Sequence, residues 1–432
     1  MSIIPTSSSS LNQWLSYLEQ LHSKEIDLGL ERIKQVAERL NTEWDGIKIV
    51  VGGTNGKGST CAMLESIYLA AGYRVGLYTS PHLIRFNERI RLNRSQATDE
   101  QIVEQFARIE EARGDISLSY FEYTTLAAIL LFKDSETEVA IFEVGLGGRL
   151  DAVNIIDADC SIITSIAIDH VSYLGDSREQ IAWEKAHIYR KDKPAICADP
   201  EPPQSLLDYA AEVGADLQLF GRDFNFSGDQ VQWTFSGKNQ RRNALGYPSL
   251  RGANQLINAA ASLAAIEALK MSVPVPNQSI REGLLQVDLP GRFQILPGQP
   301  TIVLDVAHNP HAAAVLQHNL HAMSYFPYTT AVLGMLNDKD VDEVIKNFAK
   351  SVDYWYCATL PGERGLSGEE LADKINHLIP KDKDGLPKVE VFESPRLAYE
   401  AAKERSQLED RIVVFGSFLT VADVLEHLQS SN

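Results

Sequence analysis

The sequence predicts an α/β protein of two domains. Short apolar strands alternate with segments whose apolar residues recur every three or four positions, as strands alternating with helices do. A glycine-rich turn, VGGTNGKGST at residues 51–60, joins one strand to one helix, and a Pro- and Gly-rich stretch at residues 287–300 separates two such series. We expect a P-loop-containing domain with a mainly parallel sheet and a small antiparallel insert at residues 1–290. A smaller Rossmann-like α/β domain should follow at residues 291–432.

The elements of the first domain are predicted from their periodicity. Helices are expected at residues 11–23, 29–40, 99–112, 123–132, 177–190 and 254–269, and strands at residues 47–53, 74–80, 139–145, 160–168 and 194–199. From about Leu217 to Leu250 aromatic and polar residues alternate, which predicts the antiparallel insert.

The second domain repeats one simple unit. Apolar strands at residues 301–307, 329–335, 351–360, 388–394 and 411–417 are each separated from the next by a helical segment. This regular alternation predicts a second, mainly parallel sheet.

Composition excludes several functional classes. The chain has 432 residues, with 40 Lys and Arg against 58 Asp and Glu, a formal charge of −18. Nucleic acids and anionic membranes attract positively charged surfaces, so neither is an expected partner. The four scattered cysteines form no CxxC pair, and there is no secretion-type leader or membrane-length apolar run. We expect a cytoplasmic monomer that acts on small molecules.

The glycine-rich turn has the chemistry of a phosphate site. A turn of this kind between a strand and a helix directs backbone N–H groups and the helix N-terminus at phosphate oxygens, and Lys57 adds a positive charge. The literal Walker pattern GxxxxGK[ST] fails, because Val51 replaces its first glycine and Gly58 follows the lysine. An ordinary glycine-rich turn is the alternative. The expected phosphate-binding residues are Asn55, Gly56, Lys57, Gly58 and Ser59.

A magnesium ion should accompany those phosphates. Mg²⁺ prefers oxygen ligands, and Glu143 ends a predicted strand at the sheet edge where ligands of α/β proteins collect. Ser80 and His170 follow two other strands at equivalent positions. A single histidine is more often structural, but the Asp-His pair at a strand end favours His170 as a ligand.

Six segments together resemble one known family. GGTNGKGST, TSPHLIRFNERI, EVGLGGRLDAVNII, DHVSYLGDSREQIAWEKAHI, LDVAHNP and GMLNDKD run in order along nearly the whole chain, and LHSKEIDLGLERI is similar to the family's N-terminal element. They are similar to folylpolyglutamate and dihydrofolate synthases, members of the Mur ligase superfamily. The resemblance implies a Mur-ligase-like central domain. It also implies an ATP-dependent ligase that joins L-glutamate to dihydropteroate or to a reduced folate.

The reaction implied by this resemblance proceeds through an activated acid. ATP phosphorylates a carboxylate to an acyl phosphate, which the glutamate amine attacks, releasing ADP and phosphate. Lys57 and two Mg²⁺ ions would stabilise the transferring phosphoryl group. The resemblance assigns Ser80 and His170 to metal binding and implies that Lys185 is carbamylated to hold the second ion. Ala186-His187 departs from the family's usual KAG, which puts that modification in question.

The resemblance also implies nucleotide and substrate residues. Asp305 would bind the nucleoside, His308 would assist transfer, Arg292 would reach a phosphate and Asn258 would contact adenine. Asp305 and His308 are expected at a cleft between the domains, although a plain helix N-terminal turn is the alternative for this segment. The residues expected near the folate are Phe121, Asp151, Arg85, Arg89 and Arg91, and a solvated strand face is the alternative for the three arginines.

Two rival functions remain open on the sequence. A cell-wall Mur ligase with a UDP-linked acceptor is disfavoured by Gly58 after the lysine and by TSPHL, and no additional nucleotide-sugar domain is recognisable before residue 47. A GTPase-type switch needs an NKxD motif, whereas residues 337–340 read Asn-Asp-Lys-Asp.

Overall fold

The computed structural model describes residues 4–22, 27–229, 231–379 and 388–430. The chain divides into two compact units, one of Met1–Ser249 with Leu256–Val287 and one of Leu250–Gln255 with Asp288–Asn432. The predicted domains, 1–290 and 291–432, differ from these units at residues 250–255 and 288–290 and stay a prediction. Residue 23 of the first predicted helix and residues 23–26 of LHSKEIDLGLERI lie outside the described residues.

The first unit is built on an eight-stranded sheet in the order β4-β3-β2-β5-β1-β6-β7-β8. Its strands are β1 Ile47–Gly52, β2 Val75–Tyr78, β3 Ile90–Leu92, β4 Ser95–Gln96, β5 Val139–Glu143, β6 Cys160–Ile163, β7 Pro194–Cys197 and β8 Asp216–Leu219. The strands from β2 to β8 in that order pair in parallel, whereas β3 and β4 add an antiparallel edge that was not predicted. The mainly parallel sheet is therefore confirmed.

Helices surround this sheet. They are α1 Leu11–Leu21, α2 Glu31–Leu40, α3 Lys57–Ala70, α4 Asp99–Arg113, α5 Tyr120–Asp134, α6 Val171–Leu174, α7 Arg178–Ala186, α8 Gln204–Val213, α9 Gln255–Ala268 and α10 Asn277–Gln286, with 3-10 turns at Phe86–Arg89 and Ala152–Ile155. Several begin with a capping box, in which a Ser or Thr and a Glu or Gln three residues later satisfy each other's backbone N–H groups; this occurs at Ser10, Thr98, Ser119 and Ser177.

The antiparallel insert is present and shorter than predicted. It comprises β9 Asn225–Gly228, β10 Gln232–Ser236 and β11 Arg241–Gly246, all antiparallel. Residues 217–219, which the alternating pattern assigned to the insert, instead belong to β8 and pair in parallel with β7. Leu219 is buried and Leu217 is partly buried here, and pairing with the main sheet outweighs the local alternation.

The core of the first unit explains its sequence pattern. The central strands β1 and β5 are buried on both faces. Their successive residues, such as Val50, Val51 and Phe142, are therefore all apolar instead of alternating between apolar and polar. On one side Trp14 of α1 is fully buried, with ring centroids 5.8 Å from Phe106 and 6.5 Å from Tyr123.

The second unit has a six-stranded sheet in the order β12-β13-β17-β14-β15-β16. Its strands are β12 Gln294–Leu296, β13 Thr301–Leu304, β14 Thr329–Leu333, β15 Tyr354–Ala358, β16 Lys388–Phe392 and β17 Arg411–Phe415, and its helices are α11 Pro310–His321, α12 Val341–Phe348, α13 Gly368–Leu378, α14 Pro395–Arg405 and α15 Phe418–Ser430. All pairs are parallel except β12 with β13. The predicted second α/β series is confirmed, and β12 is an unpredicted edge strand.

All four cysteines are buried free thiols, so no disulfide forms among them. Within the described residues, no helix has the length and apolar character needed to cross a membrane.

Candidate active site

The phosphate loop connects β1 to α3, as its sequence predicts. Gly53 has φ 138° and Gly56 has φ 90°, conformations that a side chain strongly disfavours. Space also demands glycine at Gly56, because a methyl group there would lie 2.7 Å from Asn258 Oδ1. The segment that follows β6 holds the loop, since the N–H of Thr54 donates to the carbonyl of Ser165 at 2.7 Å. The loop thus has a rigid backbone at a helix N-terminus, the geometry of an oxyanion site.

Lys57 is the first residue of α3, and its side chain turns back over the loop. The ammonium donates to the carbonyl of Gly53 at 3.1 Å and to that of Thr54 at 3.2 Å. The N–H groups of the first turn of a helix have no partner within the helix. Lys57 therefore places its charge beside the same backbone that would receive a phosphate.

The proposed metal ligands follow neighbouring parallel strands. Glu143 ends β5 and is paired in register with Val51 of β1, immediately before the loop. Its carboxylate is buried and accepts a hydrogen bond from the N–H of Ser80 at 3.3 Å. Ser80 and Glu143 are therefore brought together, as expected for residues that follow adjacent parallel strands.

His170 lies beyond β6 at the start of α6. Its φ of 52° is left-handed, and its Nε2 lies 4.0 Å from Asp169 Oδ1 with about a third of the side chain exposed. Among the described residues, no three His, Cys, Asp or Glu side chains cluster as a metal site. The predicted set contains only one carboxylate and one histidine, so it would have to draw its other ligands from a hydroxyl, a modified lysine and phosphate oxygens.

Lys185 is a buried lysine of the first unit whose amine contacts the phosphate loop. It lies near the end of α7, is buried, and its Nζ donates to the carbonyl of Gly53 at 3.1 Å. Lys57 donates to the same carbonyl. Burial, and next the charge of Lys57, lower the pKa of the Lys185 amine to about 7, while Asp169 and Asp151 oppose the shift. Close to neutral pH this amine is therefore a nucleophile in contact with the phosphate loop.

The backbone around Lys185 is tightly packed. A methyl group at Gly148 would lie 2.7 Å from the carbonyl of Glu184 and 2.9 Å from that of Lys185. His187, at the position that departs from the family pattern, caps α7 and stacks on Tyr209 with ring centroids 3.9 Å apart. The His187 ring therefore packs between Trp183 and Tyr209.

The predicted folate residues divide into two groups. Arg89 lies at a cluster of aromatic rings, with its Nε donating to His82 Nδ1 at 2.8 Å and its guanidinium 5.6 Å from the Tyr120 ring. Phe121 packs on Gly145, where a methyl group would lie 2.6 Å from the ring. Arg85 is exposed.

Asp151 and Arg91 are bound by other groups of the first unit. The buried Asp151 carboxylate accepts backbone N–H bonds from Leu146 at 2.8 Å and Val153 at 2.9 Å, and burial raises its pKa to about 6. Arg91 forms an ion pair with the buried carboxylate of Glu65. The charge of Arg91 is therefore paired within the first unit, and its expected position near the folate stays a prediction.

The second unit brings together three predicted residues. Asp305 follows β13, is partly buried, and accepts N–H bonds from Phe293 and Ala307, each at 2.8 Å. Burial raises the pKa of this carboxyl, and the charge of Arg292 partly offsets the rise. His308 donates a hydrogen bond from its Nδ1–H to the carbonyl oxygen of Val306 at 2.9 Å.

Comparison with known proteins identifies the family. The Mur ligase middle domain model matches residues 51–266, and the Mur ligase glutamate ligase domain model matches residues 291–418. A dihydrofolate synthase/folylpolyglutamate synthase of Escherichia coli K12 is 46% identical, over 98% of this chain and 96% of its own length. The chain belongs to the dihydrofolate synthase/folylpolyglutamate synthase family of Mur ligases.

Solved structures of this family agree in fold and report ligands. A structure of the Escherichia coli protein in complex with DHPP and ADP has 45% identity and a TM-score of 0.93, covering 99% of this chain and all of that one. A bifunctional folylpolyglutamate synthase/dihydrofolate synthase with Mn, AMPPNP and L-glutamate bound has 44% identity and a TM-score of 0.90. The match covers 98% of this chain and 99% of that chain. The predicted family and fold class are confirmed, and the chain is an ATP-dependent glutamate ligase. An ATP analogue and a divalent metal ion bind to members of this family.

Sequence reasoning missed one residue of this family member's second unit. Phe418 begins α15, and the guanidinium of Arg292 lies 4.9 Å from its ring centroid while the His308 ring lies 6.2 Å away. Phe418 is far from both residues along the chain and belongs to no recognised motif, so nothing local identifies it.

Proposed function

We propose that this ligase catalyses both reactions of its family's name. In one, L-glutamate is joined to dihydropteroate to give dihydrofolate; in the other, a reduced folate is extended by further glutamates. The observation that carries the proposal is the meeting of Lys57 and Lys185 at the Gly53 carbonyl. A phosphate loop alone fits many nucleotide-binding proteins, whereas a second, buried lysine at the same loop fits this ligase chemistry.

In the first half-reaction a substrate carboxylate oxygen attacks the γ-phosphorus of ATP. The bond to the β,γ-bridging oxygen breaks, ADP leaves, and an acyl phosphate remains. Lys57 and the N–H groups at the start of α3 would stabilise the charge on the transferring oxygens. In the second half-reaction the amine of glutamate attacks the acyl carbon, phosphate leaves, and the amine loses a proton as the amide forms.

Two magnesium ions fit the residues of the first unit. Ser80 and Glu143 would hold one, with phosphate oxygens completing its shell, and His170 and a modified Lys185 would hold the other. These ions supply charge neutralisation on the phosphates and on the developing transition state.

Lys185 can become a metal ligand by carbamylation. Its uncharged amine nitrogen attacks the carbon of CO₂, and the new N–C bond forms as the nitrogen gives up one proton. The product is a carbamate with one negative charge, which replaces a cation with an oxygen ligand. A pKa of about 7 makes the uncharged amine available near neutral pH.

The other residues have roles proposed from family resemblance and from their contacts. Arg292, stacked on Phe418, would contact a phosphate, while Asp305 would bind the nucleoside and His308 would assist transfer. In the first unit, Asn258 would contact adenine from its position against Gly56.

The folate is proposed to bind in the first unit. Phe121, Arg85 and Arg89 would contact the folate directly, whereas Asp151 would act by fixing the loop between β5 and the Ala152–Ile155 turn. We propose a cytoplasmic monomer.

The test is ATP turnover by the purified protein. ADP release is measured with L-glutamate and, in separate reactions, dihydropteroate, tetrahydrofolate or a UDP-muramoyl acceptor. We expect turnover with the first two acceptors and none with the third; turnover only with the UDP-linked acceptor would instead establish a cell-wall ligase. Lys57→Ala should lower glutamate-dependent ADP release by a factor of about 100 or more, the scale of one lost transition-state contact. Lys238→Ala, on the antiparallel insert, is the control and should retain full turnover.

A further inference from the structure

The antiparallel insert borders a polar cavity whose lining includes none of the residues proposed for the ligase reaction. A cavity of about 460 Å³ is lined by Gln240, Arg241, Arg242, Val275 and Asn277. Two of its walls are the start of β11 and the first residue of α10. A volume of this size is in the range of small-molecule sites.

The positive charge in this cavity comes from two arginines. Neither Arg241 nor Arg242 forms an ion pair among the described residues, although the chain carries a formal charge of −18. The guanidinium of Arg242 is held by neutral oxygens only, those of Gln240 at 2.7 Å and of Asn277. Its Nε is buried and has no hydrogen-bond partner within the described structure. Burial lowers the pKa of this guanidinium and the charge of Glu267 only partly offsets the shift, so a penalty remains that a bound anion would relieve.

The helix that borders the cavity has an uncapped start. Pro276 is the N-cap of α10 and supplies no side-chain hydrogen bond, and no acidic residue lies in the first turn. The N–H groups of that turn therefore add to the positive potential of the two arginines.

The cavity is separate from the phosphate loop. Beside it, the carbonyl of Pro274 accepts a hydrogen bond from the Tyr73 hydroxyl at 2.9 Å, just past the end of α3. Because α3 begins at Lys57 and has 14 residues, this end lies roughly 20 Å from the loop at 1.5 Å per residue.

We infer that this cavity is a second anion site, in which Arg241, Arg242 and the start of α10 bind the phosphate or carboxylate groups of a small polyanion. Arginine's planar array of donors suits both kinds of oxyanion. Arg241 is exposed and makes no contact on which the fold depends, so it can be changed without removing a structural interaction.

The experiment is calorimetric titration of the metal-free, full-length protein. Two probes distinguish the sources of the oxyanion: inorganic tripolyphosphate and γ-linked triglutamate. The wild type is compared with Arg241→Gln and with Lys238→Gln, which removes one positive charge from the same insert but not from the cavity wall. Lys57→Ala is titrated in parallel to identify binding at the phosphate loop.

We expect a binding event that Lys57→Ala and Lys238→Gln leave intact and that Arg241→Gln weakens about tenfold or more. Binding of only one probe would name phosphate or carboxylate as the group recognised, and either result supports the site. If every binding event disappears in Lys57→Ala, or if Arg241→Gln binds as the wild type does, the inference is overturned. Circular dichroism of Arg241→Gln checks that the variant is folded.

Discussion

The titration of Lys185 is the sharpest consequence of the structure. A lysine amine with its ordinary pKa of 10.5 has an uncharged fraction of roughly 1 in 3,000 at pH 7, whereas a pKa of about 7 makes that fraction about one half. The difference corresponds to about 5 kcal/mol of preference for the neutral form, supplied first by burial and next by the charge of Lys57.

Carbamylation should follow this uncharged fraction. With bicarbonate present, carbamate is trapped by alkylation and quantified on the Lys185 peptide by mass spectrometry from pH 5.5 to 9.5. We expect half-maximal trapping on the Lys185 peptide near pH 7. On peptides of the same digest that contain exposed lysines, trapping should still be increasing at pH 9.5. Lys57→Met removes a like charge and should move the midpoint upward, whereas Asp169→Asn removes an opposing carboxylate and should move it downward. A bare amine across the whole range, or the same midpoint in all three proteins, would refute the reasoning.

The same shift predicts a stability effect with a definite sign. The folded pKa lies below the unfolded one, so between about pH 7 and pH 10.5 the unfolded chain binds more protons at this residue. Its contribution to stability therefore rises with pH across that window, and below pH 7 the full cost of burying a charge is present. In CO₂-free buffer, Lys185→Met should raise the free energy of unfolding by a few kcal/mol at pH 6 and by much less at pH 10. Urea denaturation at the two pH values checks this, and a pH-independent difference would contradict it.

Two further predictions concern each unit in turn. Gly72→Ala should cost about 1–2 kcal/mol in thermal stability and Gly56→Ala at least as much, because both residues have φ near 90°, but only Gly56→Ala should also raise the KM for ATP. Its methyl group would displace Asn258, whereas nothing lies within 4 Å of the position at Gly72; equal KM values would contradict the assignment of the loop. Phe418→Leu should keep the second unit folded but raise the KM for ATP about two- to tenfold, since the ring no longer orients Arg292; an unchanged KM would remove Phe418 from the nucleotide site.

Much of the architecture and part of the site were accessible from local sequence patterns. The strands and helices of both sheets follow from apolar periodicity, since a parallel strand is buried on both faces and reads as a continuous apolar run. The phosphate loop and Glu143 are also local features, because a motif between a strand and a helix defines its own geometry. The predicted insert was wrong at residues 217–219, where pairing with β7 decided the outcome.

What the tertiary structure alone decided is which charges are buried, and beside what. From the sequence alone Lys185 is expected to be a solvated helix residue. In the structure α7 packs it against the carbonyl of Gly53, 132 residues away along the chain. The sequence does not show that Arg91 is paired with Glu65 of α3. It also does not indicate a role for Phe418, which becomes apparent only from its position beside Arg292. The physical reason is that periodicity and turn chemistry are properties of neighbouring residues, whereas desolvation and charge pairing depend on which distant segments exclude water from a group.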